Sequence, residues 1–174
     1  MTSSALSPAT MRLVDFLGEL GGRWGNPPLP CRVHGYLFLA GRPLRENEIC
    51  QALELDPDSL KEAMAWLEAF GLVESTTPEL WQTDSDPWTV MMRALEERRR
   101  RELAPALQLL RDCRRESATD RSADRRVDMQ VGKLLTLVED LAAIDSQAGR
   151  LSPQRLRQIV RLGGKAARFL DRRL

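Results

Sequence analysis

The chain contains few of the residues on which most enzyme and metal sites depend. It has one histidine and three cysteines, with no C-x-x-C pair and no H-E-x-x-H motif. These absences argue against a disulfide framework, a zinc site or a metalloprotease, and they fit a reducing cytoplasm. A Gly-rich phosphate loop and a G-x-S-x-G elbow are missing as well. We therefore expect a cytoplasmic protein that is not an enzyme and that holds no cofactor and no metal.

Long apolar runs are absent too. No stretch of the sequence approaches the roughly 20 apolar residues that cross a bilayer. Residues 1–17 lack a basic region followed by an uninterrupted apolar core, so we expect no signal peptide. The sequence therefore predicts no membrane partner.

Charge is unevenly distributed, although the net charge is only +1. Residues 1–92 hold 6 basic and 13 acidic side chains, and residues 93–174 hold 20 basic and 12 acidic side chains. The acidic and basic halves can pair with each other, or the basic half can face nucleic acid.

The spacing of apolar residues predicts a mainly α-helical protein. Between residues 37 and 73 the order is turn, short helix, turn, longer helix and strand, which is the order of a winged helix-turn-helix. Asp56-Pro57 has the pattern of an N-cap followed by proline at the first helical position. The inner stripe of that fourth helix comprises Leu60, Ala63, Met64, Leu67 and Phe70.

The sequence also predicts where the first helix ends, a β-hairpin, and where the lobe gives way to the second region. Gly21-Gly22 is expected to end the first helix. Residues 72–75 are expected to pair with residues 80–83 as a short β-hairpin wing. We expect residues 1–88 to form the winged helix-turn-helix lobe and residues 89–174 to form long helices of a dimerisation and effector region.

Three features are predicted within these long helices. Pro105 should bend the first of them. The charged run 96–102 either is solvated or faces a partner. A later helix, from about Arg126 to Ser146, is expected to turn one apolar face inward, consisting of Val131, Leu134, Leu135, Val138 and Leu141.

Several segments resemble one family of regulators. The segments are Gly18–Leu20, Arg23–Gly25, Pro27-Pro28, Arg32–Gly35, Leu37–Leu39, Arg42–Leu53 and Leu67–Val73. They are similar to the N-terminal signature and the helix-turn-helix of GbsR-like regulators, a branch of the MarR superfamily. The resemblance implies a homodimeric transcriptional regulator that binds double-stranded operator DNA and responds to a small-molecule effector.

Candidate DNA contacts lie at the start of the third helix and along the fourth. Arg42 and Arg45 flank the start of the third helix, where this fold contacts the DNA backbone. The fourth helix, which should enter the major groove, presents outward residues that we expect to contact bases: Ser59, Lys61, Glu62 and Ala65.

The charge of this surface favours an alternative function. The fourth helix opens with Asp56 and Asp58, and residues 74–88 contain four carboxylates and no lysine or arginine. The two aspartates are either ordinary helix-start residues or signs of weakened DNA binding. In the second case the protein acts through a protein partner that binds the acidic fourth helix and an exposed Trp66.

An effector pocket is the last candidate site. Tyr36, Trp81 and Trp88 can line a pocket between the lobe and the long helices, and aromatic faces favour quaternary ammonium ligands. Packing in the core or at an interface is the competing interpretation of these three side chains.

Overall fold

A computed structural model of the protein describes residues 6–77, 79–119 and 124–171. The chain is mainly α-helical, as the sequence predicts, and it divides into two compact units, residues 1–94 and 95–174. None of the helices described has the combined length and apolarity needed to cross a membrane.

The first unit is a winged helix. Its elements are, in chain order, α1 (Pro8–Arg23), α2 (Pro28–Ala40), β1 (Leu44–Arg45), α3 (Glu46–Leu53), α4 (Pro57–Ala69), β2 (Glu74–Thr77) and β3 (Leu80–Gln82). The strands form an antiparallel sheet in the order β1-β3-β2. The helix-turn-helix and the wing predicted from the sequence are therefore confirmed, and β1 is a strand that the sequence did not predict.

The wing begins later than the sequence predicted. Leu72 and Val73, expected in the first strand, are only 8% and 7% exposed and pack in the core before the strand starts. Pairing starts at Glu74 opposite Gln82, and an irregularity between Ser75 and Thr77 shifts the register of the hairpin. The Leu72 backbone bonds elsewhere, since its N–H donates to the Leu67 carbonyl at 2.9 Å and its carbonyl accepts from the Thr83 hydroxyl at 2.8 Å.

The core of the first unit lies between the four helices α1 to α4 and strand β1. Eight large side chains are almost completely buried, namely Val14, Val33, Leu37, Leu44, Ile49, Leu53, Leu60 and Leu67. Four of the five residues predicted for the inner stripe of α4 are buried in this core, and the fifth, Phe70, packs against it half-buried. Burial of each such side chain stabilises the fold by about 1.5–3 kcal/mol.

Close packing of α1 against α2 explains the glycine at position 21. The predicted helix end at Gly21-Gly22 is wrong, because α1 continues to Arg23. A Cβ at Gly21 would overlap the Cys31 sulfur and lie 2.6 Å from the Cys31 Cβ. Gly21 thus serves the approach of α2 rather than the termination of α1.

The second unit is built from long helices. Its helices are α5 (Pro87–Arg98), which begins in the first unit, α6 (Ala104–Thr119), α7 (Arg125–Gly149) and α8 (Pro153–Asp171). A π-helical turn, Arg99–Leu103, joins α5 to α6 immediately before Pro105. Proline has no N–H to donate to the preceding turn, and a π turn is a local adjustment that accommodates such a loss. The helix is therefore irregular next to Pro105, and the predicted bend stays a prediction.

The charged run around this turn is paired within the helix. Glu97 accepts hydrogen bonds from Arg100 and Arg101, and Glu96 accepts one from Arg99. The Arg100 guanidinium holds the pKa of Glu97 at about 2. Pairs of this kind, three and four residues apart, support an exposed helix.

Helix α7 has two apolar stripes rather than the single inward face predicted. Val131, Leu135 and Val138 are half-buried, whereas Leu134 and Leu141 are 52% and 48% exposed. The prediction that Leu134 and Leu141 point inward is therefore wrong. The cause is that two adjacent stripes on one helix merge into one broad apolar face in the sequence pattern.

Candidate nucleic-acid interface

Asp56 caps helix α4. Its Oδ1 accepts a hydrogen bond from the Ser59 backbone N–H at 2.8 Å, and its Oδ2 accepts one from the Ser59 hydroxyl at 2.6 Å. These bonds to Ser59 hold the pKa of Asp56 below its usual value. Asp56 is thus a helix-start residue, one of the two interpretations from the sequence. Because the Ser59 hydroxyl proton is engaged in the cap, Ser59 keeps only acceptor capacity for DNA.

The outer face of α4 is exposed. Asp58, Lys61, Glu62 and Ala65 are all exposed, while the opposite face of the helix is buried in the core. Lys61 forms no ion pair with any residue that the structure describes. This face therefore offers one unpaired ammonium group and two carboxylates to a partner.

The two arginines predicted to contact phosphate are both paired with carboxylates. Arg42 Nη2 lies 2.9 Å from Glu48 Oε1, and Arg45 Nη1 lies 3.1 Å from Glu79 Oε2. Both guanidinium groups are well exposed. Exposed ion pairs contribute only about 0–1 kcal/mol, so a phosphate group can displace either carboxylate.

Glu48 has a second role at the start of α3. Its Oε2 accepts a hydrogen bond from the Arg45 backbone N–H at 2.9 Å, which is one half of a capping box; the other half is missing because the Arg45 side chain has no acceptor group. The Arg42 guanidinium lowers the pKa of Glu48, with a further contribution from that backbone hydrogen bond. The sequence analysis missed this residue, because the capping-box signal pairs such a glutamate with a serine or threonine at the N-cap, and the N-cap here is Arg45.

The wing has no cation. Glu74 and Glu79 are exposed, and no lysine or arginine occurs in the described wing residues 74–77 and 79–83. Glu74 accepts a hydrogen bond from Gln82 Nε2 at 2.7 Å, across the hairpin. The wing can therefore approach DNA only through neutral groups or through cations supplied by other elements.

A cavity of about 740 Å³ lies beside the start of α4. Leu55 and Leu60 contribute apolar surface, and Arg45, Glu46 and Glu79 contribute charge. The cavity brings one predicted DNA contact, Arg45, together with residues that the sequence analysis did not select. Their proximity depends on the pairing of β1 with β3, which places Arg45 opposite Leu80.

The three aromatic residues predicted to line an effector pocket occupy different environments. Tyr36 is 5% exposed in the core. The Trp81 indole N–H donates to Glu46 Oε1 at 3.0 Å, and the Trp88 backbone N–H donates to Asp86 at 3.2 Å. None of the three lines the cavity beside α4. An effector pocket at these residues stays a prediction.

Trp66 is not the exposed surface residue that the sequence suggested. Its ring stacks on Phe70, with centroids 3.9 Å apart and planes inclined by 22°. Four residues along a helix bring side chains together on one face, so Phe70 draws Trp66 towards the edge of the core. The exposed tryptophan of the first unit is Trp24, at 66%.

His34 connects α2 to both ends of the wing. Its Nε2 lies 2.9 Å from the Thr83 hydroxyl, which donates to the Leu72 carbonyl at 2.8 Å. Because that hydroxyl proton is used, His34 Nε2 must be the donor in the first contact. Burial lowers the pKa of His34 from 6.5 to about 4. The residue is therefore a neutral structural histidine.

Within the described residues, no group of three His, Cys, Asp or Glu side chains is placed to hold a metal ion. Comparison with family models and with curated proteins gives no match. Among solved structures, the fold is similar to the crystal structure of a transcriptional regulator, with a TM-score of 0.68 and 18% identity, over 87% of this chain and 99% of that chain. This likeness shows the fold, and it extends over most of both chains.

Proposed function

We propose that this protein is a homodimeric, DNA-binding transcriptional regulator of the GbsR-like branch of the MarR superfamily. The observation that supports it most directly is the position of α4, whose inner face is buried while its outer face is exposed in a winged helix. A helix so placed is the one that enters the major groove in helix-turn-helix proteins. The similar structure of a transcriptional regulator and the resemblance of segments between residues 18 and 73 agree with this proposal.

The exposed stripe of α7 supports a dimer. Its members are spaced by three, four and seven residues and are Val127, Leu134, Leu137, Leu141 and Ile144, all at least 48% exposed. This spacing is that of an apolar seam between paired helices. A symmetric pair would give two α4 helices, as a two-fold operator requires.

The number of cations at the interface limits the salt dependence of DNA binding. Residues 41–83 contain only three basic side chains, Arg42, Arg45 and Lys61. A dimer offers six such cations, so the slope of log K against log salt should be no steeper than about −5.4 if no other cation takes part.

The test is a titration of operator-containing duplex DNA with the purified full chain at several salt concentrations. The double substitution Arg42→Ala, Arg45→Ala should weaken binding equally on all sequences and flatten the salt slope by about 0.9 per lost contact. Lys61→Gln should instead change the sequence preference. Absence of binding to the native upstream region, even at low salt, would refute the proposal.

Substitution of the carboxylate partner tests the ion pair of Arg45 with Glu79. Glu79→Gln removes the carboxylate that pairs with Arg45, so DNA affinity should rise, because phosphate no longer competes with that carboxylate. Glu19→Gln, on α1, removes the same charge from an exposed ion pair outside the interface. We expect a larger gain for Glu79→Gln than for Glu19→Gln, and equal gains would mean that only net charge matters.

A second candidate function is protein binding without DNA. The two exposed carboxylates of α4 and the cation-free wing favour a basic protein partner. Glu62→Ala is the appropriate probe, because Trp66→Ala would also remove the stack with Phe70. Sequence-selective DNA binding below micromolar concentration by the pure protein would eliminate this candidate.

A further inference from the structure

We propose that the second unit contains a binding site for a small molecule with two or more negative charges on phosphate or carboxylate groups. The site is a cavity of about 690 Å³ formed by α6 and α7. Its lining includes four basic side chains, Arg114, Arg125, Arg126 and Lys133, and one acidic side chain, Asp128. Cavities of roughly 300–1,000 Å³ are typical of small-molecule sites.

Helical geometry brings these side chains together. Arg125, Met129, Gly132, Lys133 and Thr136 all line the cavity from α7, and their spacing places them on one face of that helix. Arg114 reaches the same face from α6, and it lies so close to α7 that a Cβ at Gly132 would overlap its Nη1 atom. The glycine therefore leaves the space that the guanidinium occupies.

The cations of this cavity are in excess over acids. Arg114 Nε lies 3.6 Å from Asp128 Oδ1, which neutralises one of the four cations. Arg125, Arg126 and Lys133 form no ion pair within the described part of the chain. About three positive charges thus converge on a concave surface, an arrangement that raises the local concentration of anions.

The two other arginines of α6, which lie outside the cavity, each pair with a carboxylate. Arg111 Nη2 lies 3.0 Å from Glu139 Oε1 on α7, and Arg115 pairs with Asp112 within α6. The excess of cations is therefore a feature of the cavity and not of the whole helix pair. The start of α7 at Arg125 adds the positive end of a helix dipole.

The chemistry of the lining identifies the ligand class. Guanidinium groups form paired, charge-assisted hydrogen bonds with carboxylate and phosphate oxygens, and Met129 offers an apolar contact. All lining residues belong to the second unit, so this proposal does not rest on DNA binding by α4.

Calorimetric titration of the full chain with pyrophosphate and with citrate, at constant ionic strength, tests the proposal. Saturable binding of at least one probe is expected, and the preferred probe tells whether phosphate or carboxylate fits better. Arg125→Gln combined with Lys133→Gln should weaken binding about tenfold or more. Arg111→Gln combined with Arg150→Gln removes the same charge elsewhere and should change it less than about twofold.

Gly132→Ala is a variant of unchanged charge that displaces Arg114 from the cavity. It should also weaken binding, while circular dichroism and thermal unfolding report whether the helices remain folded. No binding of either probe, or equal losses in the cavity and control variants, would overturn the proposal. Binding of a short duplex DNA, and not of either small anion, to this cavity would overturn it as well.

Discussion

At the scale of single residues, His34 couples the stability of the winged helix to pH. It is the only histidine in the chain, and its Nε2 must donate to Thr83. Burial lowers its pKa to about 4 in the folded state, against about 6.5 when unfolded. The unfolded chain therefore binds a proton between these two values that the folded chain does not. The contribution of neutral His34 to folding stability is therefore complete above pH 6.5 and is lost as pH falls towards 4.

The prediction is a loss of about 2 kcal/mol in the free energy of unfolding between pH 7.5 and pH 5. Urea unfolding of the full chain at the two pH values measures it. His34→Gln keeps a donor for Thr83 but cannot titrate, so its stability should change much less over the same interval. An equal pH dependence in both proteins would show that other groups are responsible.

Residue-level predictions succeeded where the chemistry is local. Asp56 as an N-cap followed from Asp56-Pro57 alone, because capping involves residues three apart. The partner of Arg45 did not follow. Glu79 reaches Arg45 only through the register of β1 and β3, and β1 has just two residues, too few for a periodic signal.

At the scale of elements, the contact of α1 with α2 depends on glycine. Gly21→Ala places a Cβ against Cys31, within 2.6 Å of its Cβ. We expect a loss of about 1–3 kcal/mol in the free energy of unfolding, measured with urea. Gly22→Ala is the matched control on the same helix, because its nearest neighbour, Pro28 Cγ, lies at 3.0 Å and has only to move slightly.

If Gly22→Ala proved as destabilising as Gly21→Ala, helix geometry rather than the contact with α2 would be the cause. Sequence analysis placed the end of α1 at these glycines because glycine commonly follows a helix. Such a pattern cannot show that a second helix approaches closely enough to exclude a side chain.

Helix α7 shows the same limit in another form. Its length and apolar spacing predicted a helix, but they did not separate the residues that contact α6 from those that remain exposed. Leu134 and Leu135 are adjacent in sequence, yet the first is exposed and the second half-buried. Only the position of α6 makes that distinction.

At the scale of the whole molecule, the fold class was predictable from the sequence. Which carboxylate pairs with which basic side chain was not. The winged helix followed from the order of turns and helices between residues 37 and 73, and the structure confirms it. The excess of acids in residues 1–92 is consistent with carboxylates that pair with Arg42 and Arg45. The excess of bases in residues 93–174 includes the cavity of α6 and α7.

The exposed stripe of α7 gives the prediction that concerns assembly. Leu137 and Leu141 are 54% and 48% exposed, so replacing both with glutamate should leave the folded protomer intact. If the stripe is the seam of a dimer, two carboxylates on each side of it will be desolvated and repel each other, and the dimer will dissociate. Sedimentation should then show a monomer, and operator affinity should fall because a single lobe contacts only one half-site.

Ala143→Glu adds a carboxylate to an exposed position of the same helix outside the stripe, and it should leave the dimer unchanged. A wild-type protein that sediments as a monomer at micromolar concentration, or a dimer unaffected by the double substitution, would place the interface elsewhere.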